Sequence, residues 1–495
     1  LTLIISKGRR LPLSRSSSPI ISPEDSKTLD MKASEINKIP PIVLMEEATS
    51  QILNRLQMDF DLSALNVAII AGWGNNGGDA LSLARKLKNI GVKVKVFIFS
   101  NEKGSELYSI QKNILINLDF ILSDVARFEE DAVGFSLIID GIFGVGYKYR
   151  DNAVMDNLFG IINRSGATIV AVDVPSGLNV EGGVSVEADY TYSIGFMKDV
   201  FFNLSARKFC GTIINLPISF DIDNIESSVK FYIDDIEEIK SEKSDFVHKY
   251  QKGAVCSIGG SPGKYGSIVY CGLSALRGGA GISLVLTNRD NIDTLSAINA
   301  VLIYDSIINF KEYLSKYDTF VVGPGLATDD LEKTALIELF SSDKKFVLDA
   351  SFFSIFDKDI MKNFKNPPLL SPHVGEFKRF FGADSTGLEK DTINMVKKSA
   401  VKYNCYILLK DVFMTLATPD GKVYIFDRRN RILAQAGSGD MLAGLIGSKL
   451  SGGAEYLDSI FSAVGIFYKV AGYFRDGGYS TYDIESFIDR IGMEE

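Results

Sequence analysis

Four consecutive residues, Gly437, Ser438, Gly439 and Asp440, lead into a segment at 441–450 whose apolar positions recur at helical spacing. A helix starting there would present unpaired amide N–H groups and the positive pole of its dipole, a place for phosphate oxygens. Glycine lets the backbone come close to such a ligand. A carboxylate in this position repels phosphate but suits a reacting hydroxyl, whose proton it accepts as a phosphoryl group is transferred or lost. Asp and Ser are also common helix caps, so capping is the competing reading of the same residues.

Three apolar runs in the first half end in oxygen-bearing side chains beside glycines. Residues 66–71 run into Gly-Trp-Gly-Asn-Asn-Gly-Gly-Asp at 72–79, residues 136–140 end at Asp140 before Gly-Ile-Phe-Gly-Val-Gly, and residues 167–173 end at Asp173 before Val-Pro-Ser-Gly. With a helix predicted at 80–90 and a strand at 92–99, the first of these is a βαβ unit. Parallel sheets bind ligands at the C-terminal ends of their strands. Asp173 is the carboxylate expected to do acid–base work, a turn-forming Asp being its other reading. Gly72, Gly74 and Gly77 spell the dinucleotide pattern only formally. The next strand ends Phe99-Ser100 with no acid for a ribose hydroxyl, and Asn75 and Asn76 stand where the pyrophosphate would lie. Their side chains suit an amide, a hydroxyl or a hard cation.

The elements that must position these groups divide into two halves, because 495 residues exceed a usual single core. We expect an extension at 1–19, a first domain at 20–220, a connector at 221–244 rich in Asp, Glu, Ile and Lys, and a second domain at 245–495. Ser22 opens a helix, and Leu44-Met-Glu-Glu-Ala begins another. The opening residues are apolar before the Arg9-Arg10 pair, the reverse of a signal peptide, so a cytoplasmic protein is expected. A net charge of −9 offers no basic field for nucleic acid or membrane. The cysteines at 210, 256, 271 and 405 have no CxxC spacing, and His248 and His373 are too few for a histidine-rich metal centre.

Strands alternate with helices again in the second half, at 254–258, 319–322, 345–350, 369–371, 405–410 and 422–426, giving an α/β sandwich with its loops gathered at one end. The loop at 259–266, Gly-Gly-Ser-Pro-Gly-Lys-Tyr-Gly, fails as a Walker loop because Ile258 stands at its first glycine and Tyr265 follows Lys264. It fails as a hydrolase elbow because Pro262, after Ser261, has no N–H for an oxyanion hole.

Gly-Asn-Asn-Gly-Gly-Asp at 74–79, Ile-Asp-Gly-Ile-Phe-Gly-Val-Gly at 139–146 and Val-Asp-Val-Pro-Ser-Gly-Leu at 172–178 resemble the NAD(P)H-hydrate epimerase family over roughly residues 20–220. The resemblance implies substrate contacts at Asn75, Asn76, Gly77, Gly78, Asp79, Gly144, Val145, Gly146, Tyr147 and Asp173. It also implies potassium held by Asn76, Asp140 and Ser176. Trp73 and Ala80 depart from the family pattern without removing a polar ligand.

His-Lys at 248–249, Gly-Gly-Ser at 259–261, Gly-Pro-Gly-Leu at 323–326, Leu-Asp-Ala at 348–350, Ser-Pro-His-Val-Gly-Glu-Phe at 371–377, Leu-Lys at 409–410 and the 437–440 loop are similar to the ADP- or ATP-dependent NAD(P)H-hydrate dehydratase family, over about 235–495. That family is a branch of the ribokinase-like fold. The expected architecture is therefore α/β throughout, an N-terminal Rossmann-like sandwich followed by a C-terminal ribokinase-like one. The resemblance implies that Gly325, His373 and Asp440 meet the hydrate. Lys410, Asp411, Val412, Phe413 and Met414, with residues 431–439 including Gly437, Ser438 and Gly439, would hold ADP or ATP with Mg²⁺. Asp411 and Ser351-Phe-Phe depart from the pattern.

These resemblances together imply a bifunctional repair enzyme that interconverts R and S hydrates and dehydrates the S epimer, with Asp440 as base. They imply small-molecule partners only, no nucleic acid or membrane, and a homo-oligomer. The alternative is a ribokinase-like small-molecule kinase fused to a dinucleotide-binding module, the first half then being catalytically silent.

Overall fold

A strand buried on both faces must be apolar along its whole length, and Asn66–Ala71 is buried at every residue after Asn66. In the computed structural model it is the first strand of a seven-stranded sheet. Described are residues 4–5, 9–10, 17–146, 152–178, 184–219, 230–233, 252–427, 430–478 and 481–494. The chain forms two compact units, one of Ser18–Lys230 with Thr386–Ile393, the other chiefly of Phe231–Ser385 and Asn394–Glu495. The predicted contacts at Tyr147 and at His248-Lys249, and most of the predicted connector, lie outside the described residues.

In the N-terminal unit the sheet order is Thr212–Leu216, Tyr190–Ile194, Thr168–Val172, Leu137–Gly141, Asn66–Ala71, Lys93–Ile98, Leu122–Asp124, all parallel. From Asn66–Ala71 the chain runs first to one edge and then returns to build the other. The topological switch therefore lies between Asn66–Ala71 and Leu137–Gly141, the place where such sheets open a ligand crevice. A strand at Ser17–Ile21 begins inside the stretch read as an extension, and its Ile20 and Ile21 pair with Met197 and Lys198.

The C-terminal unit repeats this plan. Its strands run Ile303–Ser306, Ile282–Thr287, Ala254–Ile258, Thr319–Val322, Lys345–Leu348, Leu369–Leu370, Tyr406–Leu409 in parallel, then Met414–Ala417 and Val423–Phe426 antiparallel. Here the switch lies between Ala254–Ile258 and Thr319–Val322. Helices Tyr265–Arg277 and Ser438–Ser451 pack with almost no space between them. A Cβ on Gly444 would lie 2.0 Å from the Cys271 carbonyl oxygen, so only glycine fits.

Two element boundaries differ from expectation. The helix predicted from Ala80 starts at Asn75, so Asn-Asn-Gly-Gly-Asp forms its first turns rather than a loop. The helix predicted from Leu44 starts at Pro41, because proline is tolerated in a first turn, where its missing N–H is not needed. Among the described residues no helix is long and apolar enough to cross a membrane.

Candidate functional site

In the N-terminal unit the two loops at the switch touch backbone to backbone. Gly72 N–H donates to the Gly141 carbonyl at 3.1 Å, and a Cβ on Gly72 would stand 1.9 Å from the Ile142 carbonyl oxygen. Gly74 then caps helix Asn75–Asn89 without a side chain, leaving the first-turn amides free of side-chain capping. Asn75, Asn76, Asp79, Gly144, Val145, Gly146 and Asp173 all line one cavity of about 1020 Å³. Gly77 and Gly78 are buried in the helix wall. They let it approach the Gly72 carbonyl and Met45 respectively.

Asp140 and Ser176 lie deeper. Ser176 donates to Asp140 through both its hydroxyl (2.5 Å) and its amide (2.7 Å), and Ile142 N–H adds a third bond at 3.2 Å. Ser176 Oγ in turn accepts from Phe143 N–H at 2.8 Å. Burial still outweighs these bonds and pushes the Asp140 carboxyl up to about 6. The Asn76 side-chain amide nitrogen is buried without a partner. A carboxylate, a hydroxyl and the oxygen of the Asn76 amide would be a donor set of low charge, which suits a monovalent cation better than a divalent one. Among the described residues no cluster of three His, Cys, Asp or Glu could hold a metal.

Asp173 takes a left-handed backbone conformation, φ +68°, which Asp tolerates and which ends its strand abruptly. Its carboxylate accepts from Lys198 Nζ at 2.5 Å and from Ile194 N–H at 3.3 Å. Lys198 is 1% exposed and also donates to the Ile194 carbonyl (2.6 Å) and Ser193 Oγ (3.1 Å). Asp79 is pushed well above the ordinary carboxylate range by burial, then by Asp173, Asp30 and Glu46. Sequence reasoning missed Lys198 and Asp30. Neither sits in a glycine-rich strand end; Asp30 lines the cavity from a separate helix, and Lys198 lies buried behind it, bonded to Asp173.

In the C-terminal unit the loops at the switch meet in the same way. Gly260 N–H donates to the Pro324 carbonyl, Ser261 N–H to that of Gly325 at 2.7 Å, and a Cβ on Gly259 would be 1.9 Å from the Pro324 oxygen. Gly323 abuts the Asp349 carbonyl, and Gly325 the Lys264 carbonyl. Asp349, 1% exposed at the end of strand Lys345–Leu348, accepts from Lys410 Nζ at 2.5 Å, and its second oxygen has no partner. Burial raises its carboxyl despite Lys410. A Cβ on Gly439 would lie 3.0 Å from Lys410 Nζ and 3.7 Å from Asp349 Oδ2, so the 437–440 turn, Lys410 and Asp349 converge.

Gly437 occupies the N-cap of helix Ser438–Ser451 with φ +91°, and no side chain caps this helix. Asp440 stands in the first turn without being the cap, which removes the competing reading. Burial, then the nearby Asp349, pushes its carboxyl up to about 6 against a hydrogen bond with Ser267 and the charge of Lys410.

His373 and Lys410 form an isolated parallel bridge, placing the 371–377 segment beside the same strand end. His373 Nδ1 accepts from the Gly375 and Glu376 amides, and Glu376 answers on His373 N–H, a capping box for helix Val374–Phe381. The ring is thus oriented by its cap, with Nε2 3.5 Å from the Glu376 carboxylate. Burial and Lys410 lower its basicity. Burial raises Glu376 to about 7. Asp411 is half-buried and Val412 exposed, while Phe413 and Met414 are buried. Asp349 ends a strand beside glycine-bearing loops, so the rule that picked out Asp140 and Asp173 could have found it.

Comparison with known proteins covers both halves. The NAD(P)H-hydrate dehydratase family matches residues 255–471, and the YjeF-related protein N-terminus family matches residues 41–200. The bifunctional NAD(P)H-hydrate repair enzyme Nnr of Dictyoglomus turgidum is 31% identical over 462 residues, 86% of this chain and 88% of its own length. Its namesake in Escherichia coli is 28% identical over 394 residues, 77% of this chain and 75% of its own. Among solved structures, the ADP/ATP-dependent NAD(P)H-hydrate dehydratase from Bacillus subtilis, co-crystallized with ATP/Mg²⁺, has a TM-score of 0.46 at 24% identity, covering 51% of this chain and 92% of its own. With identity sustained along both units, the chain belongs to the family of bifunctional NAD(P)H-hydrate repair enzymes.

Proposed function

We propose that the C-terminal unit removes the hydroxyl of the S-epimer of hydrated NAD(P)H using ADP or ATP, and that the N-terminal unit interconverts the R and S epimers. The observation that carries the first half is Asp440: an uncapping carboxylate in a helix's first turn, beside the Lys410–Asp349 pair. Hydroxide is a poor leaving group. Transfer of a phosphoryl group from the nucleotide to the hydroxyl oxygen makes it a good one, with Asp440 accepting the hydroxyl proton. The carbon–oxygen bond then breaks with its electron pair on phosphate, and loss of a proton from the adjacent carbon restores the ring double bond. Amides of Ser438 and Gly439 would meet the moving charge, Lys410 the nucleotide phosphates, and Gly325 and His373 the hydrate.

Mg²⁺ would reach this site with the nucleotide and spread phosphate charge, and the unpartnered Asp349 oxygen is a donor suited to it. Asn76, Asp140 and Ser176 would hold potassium, whose charge would offset the cost of burying Asp140. Above that ion, Asn75, Asp79, residues 144–146 and Asp173 would contact the dinucleotide.

The test is to incubate the chain with hydrated NADH or NADPH and either nucleotide. Return of the reduced-nicotinamide absorbance supports repair. A stable phosphorylated product with no such return would assign the C-terminal unit to the small-molecule kinases instead.

A further inference from the structure

Helix Pro23–Glu35 covers the N-terminal cavity, and nothing in its sequence marks it as functional. Its Leu29 packs with Ile21 and Phe196, which seats the helix over the chain that carries Lys198. Ser26, Asp30 and Ser34, spaced four apart and so on one helical face, all line the cavity. Leu29 and Met31 of the same helix line it too, so Asp30 is the carboxylate that this mixed face brings to the cavity beside Asp173.

Inversion at a carbon that bears a hydroxyl needs two proton-handling groups, because the oxygen leaves from one face and water returns to the other. We propose that Asp30 is the second acid–base carboxyl of this site, protonating the departing hydroxyl while Asp173 takes the proton of the incoming water. This rests on the reading of the N-terminal unit as the site of R and S interconversion.

Hydration of the ring's enamine bond leaves the hydroxyl on a carbon bonded to the ring nitrogen. The carbon–oxygen bond breaks with its pair on oxygen, Asp30 supplies the proton that completes water, and the nitrogen lone pair forms C=N. Water then adds to the opposite face, the C=N pair returns to nitrogen, and Asp173 receives the proton. One water leaves and one enters. The proton gained by Asp173 returns to Asp30 through cavity water.

The other charged groups facing Asp30 fit these roles. Asp173 carries the Lys198 ammonium on its carboxylate. Asp79 lines the same cavity from helix Asn75–Asn89, and burial, then the Asp173 and Asp30 charges, raise its carboxyl. Glu35 lines the cavity one turn further along the helix. Asp30 is open to the cavity, and burial by the surrounding protein, then the Asp173 charge, raise its carboxyl to about 6 against Lys198.

The experiment follows conversion of pure R-hydrate in the full chain without nucleotide, so that the C-terminal unit is idle. Asp30→Asn should lower kcat by about 10²–10⁴-fold with KM little changed, and Asp30→Glu should restore part of the rate. Wild-type kcat should fall as pH rises through about 6, and Asp30→Asn should lack that limb. The Trp73 fluorescence transition reports whether each variant is folded. Unchanged kcat and pH limb in Asp30→Asn, or a change in KM alone, overturns the assignment. If Asp173→Asn is inactive while Asp30→Asn is active, the epimerase reading stands and only Asp30 falls. A wild-type chain that does not interconvert the epimers removes both.

Discussion

Replacing Lys198 by methionine tests whether the Asp173 site is built as described. The ammonium is 1% exposed and bonds Asp173, the Ile194 carbonyl and Ser193, so methionine keeps the length of the side chain and removes every one of those bonds. Breaking a buried ion pair from one side costs about 3–5 kcal/mol, because a charge is left uncompensated. Asp173 keeps 15% of its side chain open to the cavity, where water takes over part of the lost contact. The low end, about 3 kcal/mol, is therefore expected. For a unit of this size that is a fall in Tm of about 6–12 °C. The chain contains one tryptophan, Trp73, which lines the same cavity between Phe99 and Phe143, so its fluorescence follows this unit. In Lys198→Met with Asp173→Asn the stranded charge is gone, and a coupling of about 2 kcal/mol should return. Asparagine is chosen because it tolerates the left-handed backbone at 173. A loss below about 1 kcal/mol in the single variant, or a cycle that adds without coupling, would refute the buried pair.

Asp440→Asn should reduce dehydration by about 10²–10⁴-fold while nucleotide binding, measured by calorimetry, persists. A base must be ionised to act, so the wild-type rate should climb as pH rises through about 6 and then level off. The raised carboxyl works in the opposite sense on stability, its contribution being full below the unfolded pKa and lost as pH rises through about 6. Potassium should raise the Trp73 transition relative to a bulky organic cation, by about 2.7 kcal/mol at 100 times Kd, and Ser176→Ala should abolish the effect. Gly444→Ala drives a Cβ to within 2.0 Å of a main-chain oxygen, so it should cost more than about 3 kcal/mol in denaturant titrations followed by circular dichroism, and should lower dehydration as Asp440 shifts.

Much of both sites was legible because their oxygens sit where a strand stops. Asp140 and Asp173 stand beside glycine punctuation, which local backbone chemistry dictates. Asn75 and Asn76 were expected to meet the ligand but were placed in a loop, since polar, glycine-rich residues disguise the first turns of a helix whose capping needs no side chain. Asp440 resisted a local decision. Asp is as good a cap as a base, and only the glycine at the N-cap with its positive φ separates the two. Lys198 and Asp30 were invisible. An isolated lysine and one acid on a charged helix acquire meaning only when the fold sets the lysine against Asp173 and brings the acid, more than a hundred residues away in sequence, to the same cavity as Asp173.

The meeting of the paired loops sets a limit on how either site can change. Where Gly72 faces Ile142, and Gly259 faces Pro324, the crevice floor has no room for even one carbon of side chain. Its polarity is written in carbonyls and amides common to every amino acid. Point substitution can refurnish the walls, altering which ring or ribose is accepted, but it has no vocabulary with which to rewrite the floor. Altered selectivity at the N-terminal crevice is therefore confined to wall positions such as Trp73 and Val145, while the ground beneath the ligand stays as the backbone lays it.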